Sequence, residues 1–398
     1  MVGMTANDNR LRLPKRHFYA LDLSRLVAAV AVLFWHYLHF TISPDAMAAP
    51  ANFGDYEPLH RVFAAVYHHG HLAVAYFWVI SGFVFAHVYL GDSAARERFW
   101  SARIARLWPL HLLTLAVVVV LQGAYTAQHG HAFVFAPNDL LHFLLNLFMV
   151  QSWGFQKGMS FNGPSWSISI EILAYAVFWA LLPSLRERRG AWALTFGLAG
   201  LAAVLGVVQP GFKLWSCLAY FFVGTAAYFA MLRGWSKPWL PGAFGGCGLL
   251  LAMAFDRVAM LDFPQGALWV LALFALALWV DRLDRHDRFA FGKKLGDASY
   301  GTYLWHFPIQ LTMVMMLDAL PGGRALSQHW EVLAFYVIVS IGAGFASHRW
   351  FERPAQRAVL AAAACLARGQ GEPQRVPQPE TPLSVPAIQP PPSTRSPA

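Results

Sequence analysis

Long apolar runs separated by short polar segments dominate the sequence. Most runs are close to the roughly 20 residues that an α-helix needs to cross the hydrocarbon core of a bilayer. We therefore expect an all-α fold, a polytopic membrane helix bundle of about ten transmembrane helices. The predicted spans are Phe18–Phe40, Leu72–Leu90, Ile104–Gln122, Ser165–Leu185, Ala191–Val208, Lys213–Leu232, Trp239–Phe255, Pro264–Val280, Ala298–Leu317 and Glu331–Arg349.

One further apolar stretch, Leu140–Val150, is about half the length that a membrane crossing requires, so we predict a re-entrant or interfacial segment. The distribution of Lys and Arg supports this choice. If the stretch does not cross, the basic clusters between the spans fall on the same side as the basic N-terminal segment. Because cytoplasmic loops collect Lys and Arg, both termini are predicted to be cytoplasmic.

Composition also indicates a membrane protein. The chain is 57% hydrophobic and only 13% charged, whereas soluble domains carry roughly 25% charged residues. The net charge of +9 comes from short clusters between apolar runs, which is typical of membrane orientation and not of nucleic-acid binding. The three cysteines are too scattered for a disulfide framework or a cysteine metal site. The first apolar run is too long for a cleavable signal peptide.

The sequence predicts three regions. Residues 1–17 form a cytoplasmic N-terminal segment, and residues 18–350 form the transmembrane domain. Residues 351–398 form a cytoplasmic tail, which is Pro-rich and expected to be disordered from about residue 370.

The first span contains Asp22, Arg25, His36 and His39, and ionisable groups inside a membrane helix are functional candidates because their burial is costly. Arg25 and His36 are eleven residues apart, so they point to the same helix face with a rise of about 16 Å between them. An imidazole suits general-base work. The alternative for Asp22 and Arg25 is a simple i, i+3 pair. His39 is expected near the aqueous edge, in a structural role.

Three other segments carry candidate chemistry. Arg103 and Arg106 share a helix face, where they would clamp phosphates or contact lipid headgroups. Glu171, in the span that Pro164 opens, would orient a histidine, bind a sugar hydroxyl or pair with an arginine. His306 lies near the middle of the ninth span. Ser81-Gly82 is predicted to be a helix-packing contact and not a nucleophile.

Together these segments resemble the acyltransferase-3 family of integral membrane O-acyltransferases. The matching segments, in order, are Leu21–Arg25 through His36, Phe77–Phe83, Arg103–Arg106, Pro164–Glu171 and Leu295–His306. They extend over nearly all of residues 18–350.

The resemblance implies that His36 is the essential histidine of the first helix, with Arg25 as its companion, and that Glu171 belongs to the catalytic segment. Arg103 and Arg106 correspond to the paired arginines linked to acyl-CoA. The chain departs from the family in having Ile172, where relatives carry a second acidic residue. It also lacks the extracytoplasmic esterase-like domain of many relatives, so one catalytic domain is expected to perform the transfer.

The expected function is transfer of an acyl group, acetyl by family habit, from cytoplasmic acyl-CoA to a hydroxyl of an extracytoplasmic carbohydrate, lipid-linked glycan or related acceptor. The thioester supplies the activation, so no metal is needed. Direct transfer and an acyl-histidine intermediate both fit. The expected location is the bacterial inner membrane, as a multi-pass protein. The alternatives are a transporter or flippase, which also uses buried charges, and a sugar-polymer ligase, for which the outer loops are short.

Overall fold

The structure is a computed structural model, and it describes residues 13, 17–42, 53–92, 96–187, 191–209, 211, 213–233, 240–256, 262–284 and 286–369. Most of the predicted N-terminal segment and the Pro-rich tail lie outside these residues. The described chain contains α-helices, short 3₁₀ turns and no strand, which confirms the all-α prediction. The helices are α1 (Tyr19–His36), α2 (His60–His69), α3 (Leu72–Tyr89), α4 (Phe99–His129), α5 (Leu140–Leu147), α6 (Trp166–Arg186), α7 (Ala191–Val208), α8 (Leu214–Leu232), α9 (Leu240–Asp256), α10 (Asp262–Leu283), α11 (Phe291–Asp318), α12 (Trp330–Ser347) and α13 (Arg353–Gly369).

The predicted bundle of membrane helices is confirmed, whereas the count of ten is not. Seven helices of the described chain are long and apolar enough to cross a bilayer, and they include α1, α3, α4, α6, α8, most of α10 and the continuous run from α12 into α13. The apolar parts of α7 and α9 are shorter. Helix α11 has 28 residues but begins with Lys293, Lys294 and Asp297, which lower its mean hydropathy.

The short apolar stretch forms α5, a helix of 8 residues that ends in a turn. A helix of that length rises only about 12 Å, so α5 does not cross a bilayer. Its N-terminus is capped by Asp139, whose carboxylate accepts hydrogen bonds from the backbone N–H of His142 (2.9 Å) and from the His142 ring (2.7 Å). These hydrogen bonds lower the pKa of the Asp139 carboxyl.

Close helix contacts at two glycines set the frame of the candidate site. A Cβ atom at Gly82 would lie 1.8 Å from the Phe221 carbonyl oxygen, so α3 and α8 meet backbone to backbone. This confirms the packing role predicted for Gly82. A Cβ atom at Gly296 would lie 2.6 Å from the Asp22 carbonyl oxygen, which places α11 directly against α1. Helices α1 and α11 therefore form a closely packed pair.

Helix α12 continues through a π-helical turn, His348–Glu352, into α13. The first part of the predicted tail is therefore helical, and this helix, α13, packs against α4. Because π-helical turns are often found at functional sites, the side chains of this turn are candidates for a functional role.

Candidate functional site

Three histidines meet where α1 ends and α11 passes behind it. The His36 ring lies 5.0 Å from the His306 ring and 5.2 Å from the His39 ring, measured between centroids. His306 and His39 are buried, and His36 is partly buried. We call His36, His39 and His306 the imidazole cluster.

His39 does not lie at an aqueous edge as expected. The chain leaves α1 in a 3₁₀ turn, Tyr37–Thr41, which keeps the His39 ring inside the bundle. The ring lies edge-on to Phe135 at 5.7 Å and is only 6% exposed. The sequence prediction assumed a straight helix, which would have carried this residue about 4.5 Å beyond His36 along the axis.

Each ring of the imidazole cluster has its Nδ1 atom fixed by an oxygen acceptor. The Nδ1 atom of His36 lies 3.0 Å from the Val32 carbonyl oxygen, and the Nδ1 atom of His306 bonds the Tyr303 carbonyl. A carbonyl oxygen only accepts, so Nδ1 carries the proton in both rings. In the neutral form, the Nε2 atom of each ring then holds the lone pair. The Nε2 atom of His306 is buried without a hydrogen-bond partner in the described chain.

Gln310, one turn beyond His306 on α11, fixes the third ring. Its amide nitrogen donates to the His36 carbonyl oxygen at 2.7 Å, so its amide oxygen faces the Nδ1 atom of His39 at 3.1 Å. That nitrogen must therefore be the donor. One fully buried amide thus links the backbone of His36 to the ring of His39.

Pro308 interrupts the hydrogen bonding of α11 beside the imidazole cluster. Proline has no N–H group, so the Leu304 carbonyl loses its intrahelical donor. The amide nitrogen of Asn162 donates to that carbonyl at 3.1 Å. The other end of the Asn162 amide, Oδ1, is buried and has no hydrogen-bond partner among the described residues. Asn162 therefore replaces the missing backbone bond and fixes the segment before α6 to α11.

Three arginines gather at the opposite end of α1, which we call the basic end and define by Arg25, Arg103 and Arg106. The Arg25 and Arg106 guanidinium groups are close enough to repel each other, and the Glu171 carboxylate is close enough to Arg103 and Arg25 to attract both. The structure thus brings Arg25, Arg103, Arg106 and Glu171 together. They come from three helices, α1, α4 and α6.

The two arginines of α4 contact different neighbours. The Arg103 guanidinium lies over the Phe85 ring, 4.8 Å from its centroid, and its Nε atom is buried without a hydrogen-bond partner in the described chain. Arg106 lies 3.7 Å from the Glu352 carboxylate and over the Tyr300 ring at 5.7 Å. The shared helix face is therefore divided between an aromatic contact and a loose ion pair.

Glu171 belongs to the basic end and not to the imidazole cluster. Its carboxylate faces Ser81 and Tyr175, and its Oε1 atom is buried without a hydrogen-bond partner among the described residues. Of the three alternatives that the sequence left open, an arginine role is supported only through the attraction of the Arg103 and Arg25 charges, since the hydrogen-bond partners of the carboxylate are the Ser81 and Tyr175 hydroxyls. Orientation of a histidine is disfavoured, because the Nδ1 atoms of the imidazole cluster bond other groups.

Sequence reasoning missed Gln310, Asn162, His348 and Glu352. Glu352 is 1% exposed, and it contacts Arg106 and, at 3.8 Å, His348. Gln310 had one available signal, since it is a polar residue four positions after His306 in an apolar span. Glu352 had none, because its contact with Arg106 depends on the π-helical turn.

Comparison with known proteins gives a consistent assignment. The acyltransferase domain of the acyltransferase-3 family matches residues 18–366. The chain is similar to the acyltransferase MdmB of Streptomyces mycarofaciens, with 27% identity over 334 residues that cover 72% of this chain and 81% of that protein. It is also similar to BcsY of Komagataeibacter xylinus, named as a membrane-bound transacylase, with 26% identity over 334 residues, 75% of this chain and 82% of that protein. No solved structure gives a significant match.

The family match covers the helices that carry the imidazole cluster and the basic end, and it reaches into α13. Both relatives are named for acyl transfer. The chain belongs to the acyltransferase-3 family and is a multi-pass membrane transferase.

Proposed function

We propose that the protein moves an acyl group, acetyl in the simplest case, from acyl-CoA to a hydroxyl of a carbohydrate, a lipid-linked glycan or a related acceptor. The observation that carries this proposal is the state of His36. Its Nδ1 proton is held by the Val32 carbonyl, which leaves the Nε2 lone pair for chemistry, within a cluster of two further imidazoles.

In the direct mechanism, the Nε2 atom of His36 takes the proton of the acceptor hydroxyl while that oxygen attacks the thioester carbon. The carbon–sulfur bond breaks, the new ester forms, and the departing CoA sulfur takes the proton from the imidazolium. In the alternative mechanism, Nε2 attacks the thioester carbon first, the carbon–sulfur bond breaks and CoA leaves as the thiolate. The acceptor hydroxyl then attacks the acyl carbon, the bond from that carbon to Nε2 breaks, and the hydroxyl proton passes to the CoA thiolate. The geometry of the Nδ1 bond supports both.

The basic end supports an anionic donor. Arg25, Arg103 and Arg106 lie together, and guanidinium groups are well suited to phosphates, of which CoA carries several. Along α1 the rise from Arg25 to His36 is about 16 Å, and the extended pantetheine arm of CoA would span that distance. Glu171 would hold Arg103 and Arg25 in place before the donor arrives.

Orientation follows from the positions of the basic residues. Because cytoplasmic loops collect Lys and Arg, the basic end would face the cytoplasm, where acyl-CoA is made, with both termini on that side. The imidazole cluster would then lie in the outer half of the bilayer, and the acceptor would arrive from outside. In a bacterium the protein would then lie in the inner membrane. The transporter alternative finds no support in the names of the relatives.

The test uses the purified protein in detergent with acetyl-CoA and a crude cell-surface glycan fraction. Release of free CoA thiol together with an acyl mass increase on the glycan is expected from wild type and not from His36→Ala. His329→Ala is the matched control, because His329 is exposed at the end of the molecule where α1 finishes. Transport of the glycan without acylation, or full activity of His36→Ala, would refute the proposal.

A rapid-quench experiment separates the two mechanisms. The protein is mixed with acetyl-CoA in the absence of acceptor and digested. An acyl mass increase on the peptide that contains His36 identifies the covalent route, and an unmodified peptide with intact turnover identifies direct transfer.

A further inference from the structure

A second group of ionisable residues lies outside the transfer site, on α2 and the turn before it. Glu57 precedes the helix, His60 is its first residue and His68 lies in its last turn. The Glu57 carboxylate lies 2.7 Å from the Nδ1 atom of His60, and the His60 and His68 rings are 5.5 Å apart. One ligand atom from each residue falls within 4.8 Å of the other two.

This set has the chemistry of a zinc site. Zn²⁺ binds imidazole nitrogen and carboxylate oxygen at about 2.0–2.2 Å, which places neighbouring ligand atoms about 3.3 Å apart in a tetrahedron. The Glu57–His60 distance is slightly shorter than that, because a proton and not a metal joins the two atoms. His68 is exposed and has room to turn toward the pair, whereas Glu57 is 6% exposed and fixed.

We propose that Glu57, His60 and His68 bind a single Zn²⁺ ion. Glu57 and His60 supply one ligand atom each where they now share a proton, and His60 changes tautomer so that its Nδ1 lone pair faces the ion. His68 completes three protein ligands, and water takes the fourth position. The site is separate from acyl transfer and does not rest on the proposed function.

The ion would hold α2 in place next to the imidazole cluster. Phe34, two residues before His36, contacts Phe63 at 5.2 Å and Tyr67 at 5.0 Å, so the apolar face of α2 lies on the end of α1. A Cβ atom at Gly70, directly after α2, would lie 2.1 Å from the Ala31 carbonyl oxygen. Tying both ends of α2 to Glu57 would stabilise this contact.

The experiment measures zinc binding by the full-length protein in detergent after treatment with a chelator. Calorimetry gives affinity and stoichiometry with ZnCl₂, and thermal unfolding with and without ZnCl₂ gives the stabilisation. Glu57→Gln and His68→Ala remove ligands, and the exposed position of His68 makes its replacement compatible with folding. His71→Ala is the matched control, since His71 is an exposed histidine just after α2 that is not one of the three proposed ligands.

Wild type and His71→Ala are expected to bind one Zn²⁺ per chain and to unfold at a higher temperature with the metal. Loss of even an indirect partner of a metal costs about 10–100-fold in affinity, so Glu57→Gln and His68→Ala should lose at least that factor and the thermal shift. Wild-type affinity in both variants, equal loss in His71→Ala, or no binding by wild type would overturn the proposal.

Discussion

The two ends of α1 hold their polar groups in different ways. In the imidazole cluster, each Nδ1 atom bonds a fixed oxygen, and the bonds of His36 and His39 are 3.0 and 3.1 Å long. At the basic end, the ion pairs are long, 3.5 Å from Arg25 to Asp22 and 3.7 Å from Arg106 to Glu352. The buried Nε atom of Arg103 has no hydrogen-bond partner in the described chain.

This difference indicates two kinds of site. A preorganised ring loses little entropy when it reacts, so the imidazole cluster is built for a chemical step. Loosely paired cations are built for an anion that completes their hydrogen bonds. We therefore expect changes in the imidazole cluster to act on kcat, and changes at the basic end to act on KM for the acyl donor.

The largest expected effect comes from His36→Gln, which keeps a polar side chain of similar size but removes the base. We expect kcat to fall by about 10²–10⁴-fold, because that is the usual contribution of general acid–base catalysis. The KM for acyl-CoA should change little, since the basic end is intact. Steady-state kinetics on purified protein gives both values, and a raised KM with normal kcat would contradict the division between the two ends.

The next effect is expected for Arg103→Gln and Arg106→Gln. A hydrogen bond to a charged group contributes about 1.5–3 kcal/mol, which corresponds to a rise of about 10–100-fold in KM for acyl-CoA. The kcat value should stay within a few-fold of wild type. Arg98→Gln is the control, because Arg98 is an exposed arginine just before α4, paired with Asp92 at 3.4 Å. Equal effects in all three variants would indicate a general charge effect and no donor site.

The sequence alone predicted the polar groups at the two ends of α1, but not the contacts that hold those groups in place. Helical geometry was enough to place Arg25 and His36 on one face, and the apolar runs were enough for the bundle. The contacts of Gln310 with His36 and of Asn162 with Leu304 join residues 274 and 142 positions apart. A periodic pattern contains no information on such distant pairs, so these residues could not be found before the helices were packed.

The number of spans was harder to predict than their existence, again for a physical reason. The start of α11 carries Lys293, Lys294 and Asp297, and Asp297 lies 3.6 Å from His348 and 3.7 Å from Arg353. The Asp297 carboxylate is thus paired with the turn after α12 and with α13. Hydropathy counts such a charge as a cost even where a neighbouring helix neutralises it.

Gln310 tests how much the preorganisation of the imidazole cluster contributes. Gln310→Glu keeps an acceptor for the Nδ1 proton of His39 but, as a carboxylate, loses the donor to the His36 carbonyl. Gln310→Leu loses both bonds. We expect kcat to fall about tenfold in the Leu variant, since an unsatisfied buried group costs about 1–3 kcal/mol. The Glu variant should lose at least as much, because a buried carboxylate then faces the His36 carbonyl oxygen. Unchanged kcat in the Leu variant would show that the amide is dispensable. A changed KM for acyl-CoA would show that Gln310 acts on donor binding, which the division between the two ends assigns to the basic end.

The smallest effect concerns the interrupted backbone hydrogen bonding of α11 and not the reacting groups. Asn162→Ala removes the donor to the Leu304 carbonyl, which Pro308 has already deprived of its backbone partner. We expect a loss of about 1–3 kcal/mol in stability, seen as a lower unfolding temperature in detergent, because a buried carbonyl is left unpaired. Pro308→Ala restores a backbone N–H one turn beyond Leu304, so the double variant Asn162→Ala, Pro308→Ala should recover part of that loss. If Asn162 acted only by filling space, the added N–H would recover nothing, and Asn162→Ala would unfold at the same temperature with either residue at position 308.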